Sequence, residues 1–158
     1  QSTLMIDLIR PDGYAKLIST ERLLLAANAA LKAQPSREGS AATIRLTNNR
    51  AIRRLNRDYR GFDEATDVLS FENDFLDPET GQHYLGDIVI SLEKARAQAK
   101  AHGNSLQHEV EMLVVHGMLH LLGADHDTKP RRNKMSSLQD QILEAIGNPL
   151  LGSIVDDQ

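Results

Sequence analysis

Two rhythms of apolar and polar positions run along this chain. Residues 3–9 are apolar with one polar interruption and stop at Pro11 and Gly13, which predicts an edge-capable strand. Residues 14–33 carry Leu17, Ile18, Leu23, Leu24, Leu25, Ala27 and Leu31 in helical repeat and end before Pro35, which predicts a long helix. Residues 42–47 alternate around Ile44 and Leu46 as a second strand, and Asn48 or Asn49 can cap a helix carrying Arg50 to Arg57. Residues 66–71 and 84–90 are β-rich runs joined by a polar loop with Asp77, Pro78 and Gly81, the pattern of a hairpin. Ser91 is placed to cap a helix that reaches His102, before Gly103 and Asn104. Another helix is expected from near Ser105 to about Leu122, stopped by Gly123. A last amphipathic helix beyond Pro130 carries Met135, Leu138, Ile142, Leu143 and Ile146 and ends at Gly147.

These elements intermingle without a regular βαβ cadence, and the second strand pair reads as antiparallel. The expected fold is therefore α+β, a small mixed sheet of about four strands packed with about five helices, with a doubly wound sheet as the lesser alternative. At 158 residues the chain is expected to form one domain over 1–158, with a loose tail over 149–158. The apolar fraction of 41% and charged fraction of 25% match globular averages and exclude a disordered or fibrous class.

Cysteine is absent, which removes disulfides, thiolate zinc sites and cysteine nucleophiles, so any metal must be held by His, Asp or Glu. Apolar runs are far short of the ~20 residues that span a bilayer. No basic stretch followed by a hydrophobic one opens the chain, so the cytoplasm is the expected compartment. The formal net charge of −4 speaks against nucleic-acid binding, but it is unevenly spread. Six arginines (45, 50, 53, 54, 57 and 60) face one acid, Asp58, and residues 61–80 then hold seven acids and no base.

The most informative stretch is His116-Gly117-Met118-Leu119-His120-Leu121-Leu122-Gly123-Ala124-Asp125-His126. On a helix, His116 and His120 sit one turn apart and differ by only ~40° in azimuth, so both imidazoles can converge on one point. Leu106, Val110, Leu113, Val114, Met118 and Leu121 occupy the adjoining arc, which predicts histidines at the margin of a core. His126 lies ~9 Å further along a straight axis and can join them only if the chain turns back. Gly123 permits that turn, because glycine accepts the left-handed conformation that ends a helix. Three neutral imidazoles with one open position is the arrangement of a catalytic zinc. The histidine and glycine spacing is that of the metzincin signature, but Gly117 stands where the catalytic glutamate of such peptidases belongs, which disfavours proteolysis. His83, His102 and His108 lack ligand spacing and read as ordinary surface or core histidines.

Together with Tyr59-Arg60-Gly61-Phe62-Asp63-Glu64-Ala65-Thr66-Asp67-Val68-Leu69-Ser70-Phe71 and Leu85-Gly86-Asp87-Ile88-Val89-Ile90-Ser91, the histidine block resembles the YbeY family of bacterial metal-dependent endoribonucleases. The resemblance covers roughly residues 55–127. It implies a zincin-like α+β fold, one Zn²⁺ ion, and single-strand cleavage in small-subunit ribosomal RNA 3′-end maturation and ribosome quality control. It carries His116, His120 and His126 over as metal ligands, Arg60 as the functional arginine and Asp87 as a family acid. Implied partners are single-stranded ribosomal RNA and ribosomal or small-subunit components, including an assembly GTPase, with neither DNA nor a membrane among them. Phe62 stands where a lysine is usual, Ala65 and Glu72 where prolines are usual, and Ala124 where an aromatic often precedes the Asp-His pair.

In such a site Arg60 would hold phosphate charge with its bidentate fork. Asp125 or Asp87 would orient a ligand histidine or accept a proton, and Glu109, seven residues before His116, offers the same. Each of these acids has a cap or surface role as the plain alternative, and Arg60 that of a solvated arginine. Arg50, Arg53, Arg54 and Arg57 recur at helical spacing as a basic stripe, either a solvated face or an RNA-backbone contact. With three Tyr, three Phe and no Trp, extensive base stacking is not expected. Two other classes stay open: a non-catalytic, zinc-stapled ribosome assembly factor, and a zinc hydrolase of a non-RNA substrate.

Overall fold

The computed structural model describes the backbone of residues 5–8 and all of residues 17–150. Along the chain it holds β1 (Met5–Leu8), α1 (Thr20–Lys32), a 3₁₀ turn (Pro35–Arg37), β2 (Ala41–Thr47), α2 (Asn49–Arg60), β3 (Val68–Leu76), β4 (His83–Ser91), α3 (Leu92–His102), α4 (Leu106–Leu121) and α5 (Lys129–Ala145). The strands form one mixed sheet in the order β1-β2-β4-β3. β1–β2 and β2–β4 are parallel, and β3–β4 is the expected antiparallel hairpin. The fold is α+β, with four strands and five α-helices.

Most boundaries follow local chemistry. Ser19, Asn48, Ser91, Ser105 and Thr128 each accept a hydrogen bond from the backbone N–H three residues on, which fixes the start of all five helices. The expected start of α1 near residue 14 is corrected by Ser19: residues 17–19 precede the helix as its cap and approach, and residues 14–16 lie outside the described residues. β3 continues to Leu76, past its expected end near residue 71, because β4 pairs with it as far as Leu76↔His83. Gly86, at φ +140°, sits where the pairing register shifts; a Cβ there would lie 2.1 Å from the Phe71 carbonyl oxygen, so the irregularity requires glycine. Leu150 is 7% exposed and packs in the core, so the part of the expected loose tail within the described residues is held.

The two faces of the sheet are covered unequally. On one side α1, α3, α4 and α5 close a large core that includes Leu23, Leu31, Ile44, Ile88, Ile90, Leu113, Val114, Met118 and Leu143. On the other, α2 alone covers a small cluster of Ile52, Leu69 and Val89, with Leu55, Ala65 and Phe71 at its border.

α4 is the central helix, buried on every side from Glu109 to Leu119 against β3, β4, α1, α3 and α5. The helix is anchored in the core as expected; of the two histidines expected at the core's margin, His120 is half-exposed there while His116 is buried. A helix that is apolar on all sides is a core helix. Gly117 shows how closely α4 lies on the sheet. A Cβ at this position would approach Ile88 Cγ2 to 2.8 Å, and the Gly117 carbonyl accepts a 3.2 Å hydrogen bond from Ser70 Oγ. No glutamate fits there, which gives a packing reason for the departure from the metzincin signature.

Candidate active site

The site grows from the end of α4. His116 and His120 project from consecutive turns with their Nε2 atoms 3.1 Å apart and ring centres 4.7 Å apart. The helix then closes through Leu122 and Gly123, the latter at φ +100°, with the Ala124 N–H returning to the Leu119 carbonyl. This turn brings His126 back, its ring centre 5.1 Å from that of His120 and 6.5 Å from that of His116. The backward turn expected at Gly123 is thus present. The Asp125 carboxylate accepts the His126 backbone N–H at 2.7 Å, bracing the turn.

His116 is 7% exposed, and its Nδ1 lies 2.9 Å from the Oε1 of Gln139 on α5. An amide oxygen only accepts, so His116 Nδ1 carries the proton and Nε2 keeps its lone pair towards His120. A distal partner of this kind fixes the tautomer and orientation of a metal-ligating imidazole. Gln139 was not singled out from the sequence. Its signal is a polar residue at a core position of the α5 apolar repeat, between Met135 and Ile142, where it is buried at 4% exposure.

The donor set suits a borderline divalent ion. Around a tetrahedral ion with metal–nitrogen bonds near 2.0–2.1 Å, ligand nitrogens lie about 3.3 Å apart and imidazole centres about 5 Å apart. The His116–His120 and His120–His126 spacings meet that, and His126 needs to approach His116 by roughly 1 Å more. Accordingly, among the described residues no group of three or more His, Cys, Asp or Glu is arranged as it stands to hold a metal ion. The rings are gathered but not drawn in around one point.

Beside them opens a cleft of about 200 Å³, bordered by His120, His126, residues 123–125, Arg60, Ser70 and Glu72. Arg60 is the last residue of α2, and Gly61, left-handed at φ +80°, ends the helix there. Arg60 borders the same cleft as His120, Asp125 and His126, although it comes from a separate stretch of the chain. Ser70 and Glu72 also border it; neither was expected, and alternation along β3 puts both on the face that α4 covers.

Asp87 is not brought to this cleft. It pairs in register with Phe71, whose side chain belongs to the α2 cluster, so Asp87 faces the opposite side of the sheet from α4. There its carboxylate accepts from the Tyr84 hydroxyl, which also lies 2.8 Å from Thr43 Oγ1. This corrects the expectation that Asp87 acts among the histidines. Glu109 is likewise distant: it is buried two turns before His116 beside Asn104, and burial pushes its carboxyl above the ordinary range.

The basic stripe of α2 is exposed but partly neutralised. Arg53 donates two hydrogen bonds to Asp63, at 2.9 and 3.3 Å, and Arg57 donates to Asp58 at 3.0 Å. The acid-rich stretch after the stripe therefore folds back onto it. Phe62, in place of the usual lysine, is 48% exposed just beyond Arg60.

The sequence comparisons bear on this arrangement. Residues 14–147 match the family model described as "Endoribonuclease YbeY". This chain belongs to the YbeY endoribonuclease family. It is similar to Endoribonuclease YbeY of Heliobacterium modesticaldum, 46% identical over 119 residues, which cover 70% of this chain and 72% of that protein. Its counterpart in Geobacillus kaustophilus is 43% identical over 143 residues (84% and 88%), and that in Geobacillus thermodenitrificans 39% identical over 155 (92% and 97%). The solution structure of TM1509 from Thermotoga maritima superposes with a TM-score of 0.57 at 26% identity, covering 99% of this chain and 100% of that one. As a YbeY family member the chain is a hydrolase of RNA phosphodiesters. No described helix is long and apolar enough to cross a membrane.

Proposed function

We propose that this chain is a zinc-dependent, single-strand-specific endoribonuclease of small-subunit ribosomal RNA 3′-end maturation and ribosome quality control. In this reading it works in the cytoplasm as one domain, in contact with ribosomal components and an assembly GTPase. The single observation that carries the reading is that three imidazoles from α4 and its following turn gather together, and two of them, His120 and His126, border a cleft that Arg60 also lines.

His116, His120 and His126 would hold one ion. Such an ion supplies Lewis-acid activation of water and of a phosphoryl oxygen near neutral pH. The remaining work falls to the chain's own groups. Arg60, exposed and without an ion pair among the described residues, offers a planar fork of donors to two phosphate oxygens and favours the charge that builds in a pentavalent phosphorus. Gln139 keeps His116 in the tautomer whose Nε2 is free of hydrogen. Asp125 holds the backbone of the turn and thereby the place of His126. The narrow cleft beside the edge strand admits one strand rather than a duplex, whose bases are paired and turned inward.

The test joins elemental analysis of protein purified without added metal to cleavage of single- and double-stranded RNA, with and without chelator. One equivalent of zinc and chelator-sensitive cleavage of the single strand are expected. Arg60→Ala should keep the metal and lose about 10²–10³-fold in cleavage rate. Metal-free protein that cleaves as well, or equal cleavage by Arg60→Ala, would overturn the reading.

A further inference from the structure

On the far side of the turn that carries Asp125 lies a second and larger cavity, about 400 Å³, between the end of α1, the end of α4 and the first turns of α5. Residues 123–125 border both this groove and the histidine cleft, so a single turn of chain separates the two. The groove is floored by Leu119, Leu122, Met135 and Leu138, with Arg131 and Lys134 on the α5 side of its rim and Asp125 on the side of the shared turn. Arg131 is paired with Asp127 at 3.2 Å, whereas Lys134 makes no ion pair among the described residues. The surrounding exposed surface of α5 adds Lys129 and Arg132.

An apolar floor beneath a cationic rim selects an occupant with a flat apolar face and a negative charge on its edge. A neutral aliphatic ligand would leave the cations idle, and a duplex would keep its base faces stacked and out of reach. An unpaired nucleotide satisfies both requirements at once. From this complementarity, and from the wall shared with the cleft, we propose that the groove holds a base of the single-stranded RNA flanking the scissile phosphate, with Lys134 and Arg131 on its phosphate. The inference rests on the endoribonuclease reading and adds a binding subsite to it. It also supplies the base contact that the scarcity of aromatic residues leaves open, with the partly exposed Leu138 of the floor beneath the base.

The test uses the full-length, metal-loaded protein and two exposed substitutions, Lys134→Glu at the rim and Ala33→Trp at the mouth, neither of which touches the histidines or Arg60. Single-stranded RNA oligomers carry one abasic nucleotide scanned outward from the cleavage position. Wild type should show KM raised at least about fivefold by an abasic nucleotide at one flanking position, with kcat unchanged. Ala33→Trp should raise KM by a similar factor on intact RNA and erase that position dependence. Lys134→Glu should raise KM and flatten its salt dependence. Unchanged KM in both variants, or no abasic position effect in wild type, overturns the subsite while leaving the nuclease reading intact; this is also the result if the groove serves a protein partner instead. If wild type fails to cleave, the nuclease reading falls, and fluorescence anisotropy of the same oligomers decides the groove: weaker binding by both variants upholds it, equal binding overturns it.

Discussion

α4 carries two buried polar clusters five residues apart, and they are built on opposite plans. In its first half Glu111, fully buried, has both carboxylate oxygens satisfied from several directions. Arg22 donates to Oε1 at 2.8 Å and to Oε2 at 3.1 Å, Gln107 to Oε2 at 3.0 Å, and Asn148 to Oε1 at 3.1 Å. Arg22 also reaches the Ile146 carbonyl and Asn148 the His108 carbonyl, so the cluster ties α1, α4 and the end of α5 together. In the second half, His116 has one nitrogen committed to Gln139 and the other directed at His120 beside an open cleft. A buried polar group whose partners all come from the chain stabilises a fold. A polar group that keeps one side bonded to the chain and turns its other side to neighbouring imidazoles beside an open cleft is not closed off in that way.

The sharpest test of that contrast removes one member from each cluster. His120→Ala should abolish metal retention and lower RNA cleavage by at least about 10³-fold, equivalent to roughly 4 kcal/mol of transition-state stabilisation. Its urea midpoint without metal should stay close to wild type, because His120 lies on a half-exposed last turn. Glu111→Ala should do the reverse: about 3–5 kcal/mol of unfolding free energy lost, because Arg22, Gln107 and Asn148 lose their acceptor, with cleavage by the folded fraction retained. If Glu111→Ala left stability intact, the division between a structural and a functional half of α4 would fail.

Gln139→Leu probes the link between the two plans. It fills the same space in the core but removes the acceptor from His116 Nδ1, so metal affinity should fall about 10–100-fold, and the buried N–H left unpaired should cost about 1–3 kcal/mol of stability. Titration with a competing chelator measures this directly.

The smallest effect concerns pH. Burial pushes the Glu111 carboxyl up, but hydrogen bonds from Arg22, Gln107 and Asn148, with the Arg22 charge, outweigh it and hold the group below the ordinary range. Stability from Glu111 is then fully present above the unfolded pKa, about 4.3, and is lost as pH falls through the lower folded value. Glu109 has the opposite sign: burial raises its pKa, partly opposed by Asn104 and His102, so stability falls as pH rises from the ordinary value through the folded one. Urea midpoints from about pH 6 down to about pH 3 should therefore fall less steeply for Glu111→Gln, and lose the rising-pH penalty for Glu109→Gln.

Much of this was legible before any fold was known. The i, i+4 spacing of His116 and His120, the turn at Gly123 and the caps at Ser91 and Asn48 depend on contacts within a few residues of one another, and the hairpin of β3 and β4 joins strands that are consecutive in the chain. Asp87 was misplaced because alternation says only that neighbours face opposite sides, not which side α4 covers. The start of α1 was misplaced because the apolar repeat runs through Ser19, whose capping bond outweighs it. Gln139 went unnoticed because a lone glutamine in an amphipathic helix gains meaning only when a helix 23 residues earlier in the chain lies against it.

The chain's own order of residues thus determined the helices, the strands and which imidazoles share a turn, since those follow from local hydrogen bonding and from a 3.6- or 2-residue period. Packing decided the rest: that α4 lies close enough to β4 to demand glycine at 117, that Arg60 borders the same cleft as His120 and His126, and that Asp87 lies on the other face of the sheet. Contacts between distant segments depend on which faces are buried against each other, and burial is settled only when every element has found its neighbour.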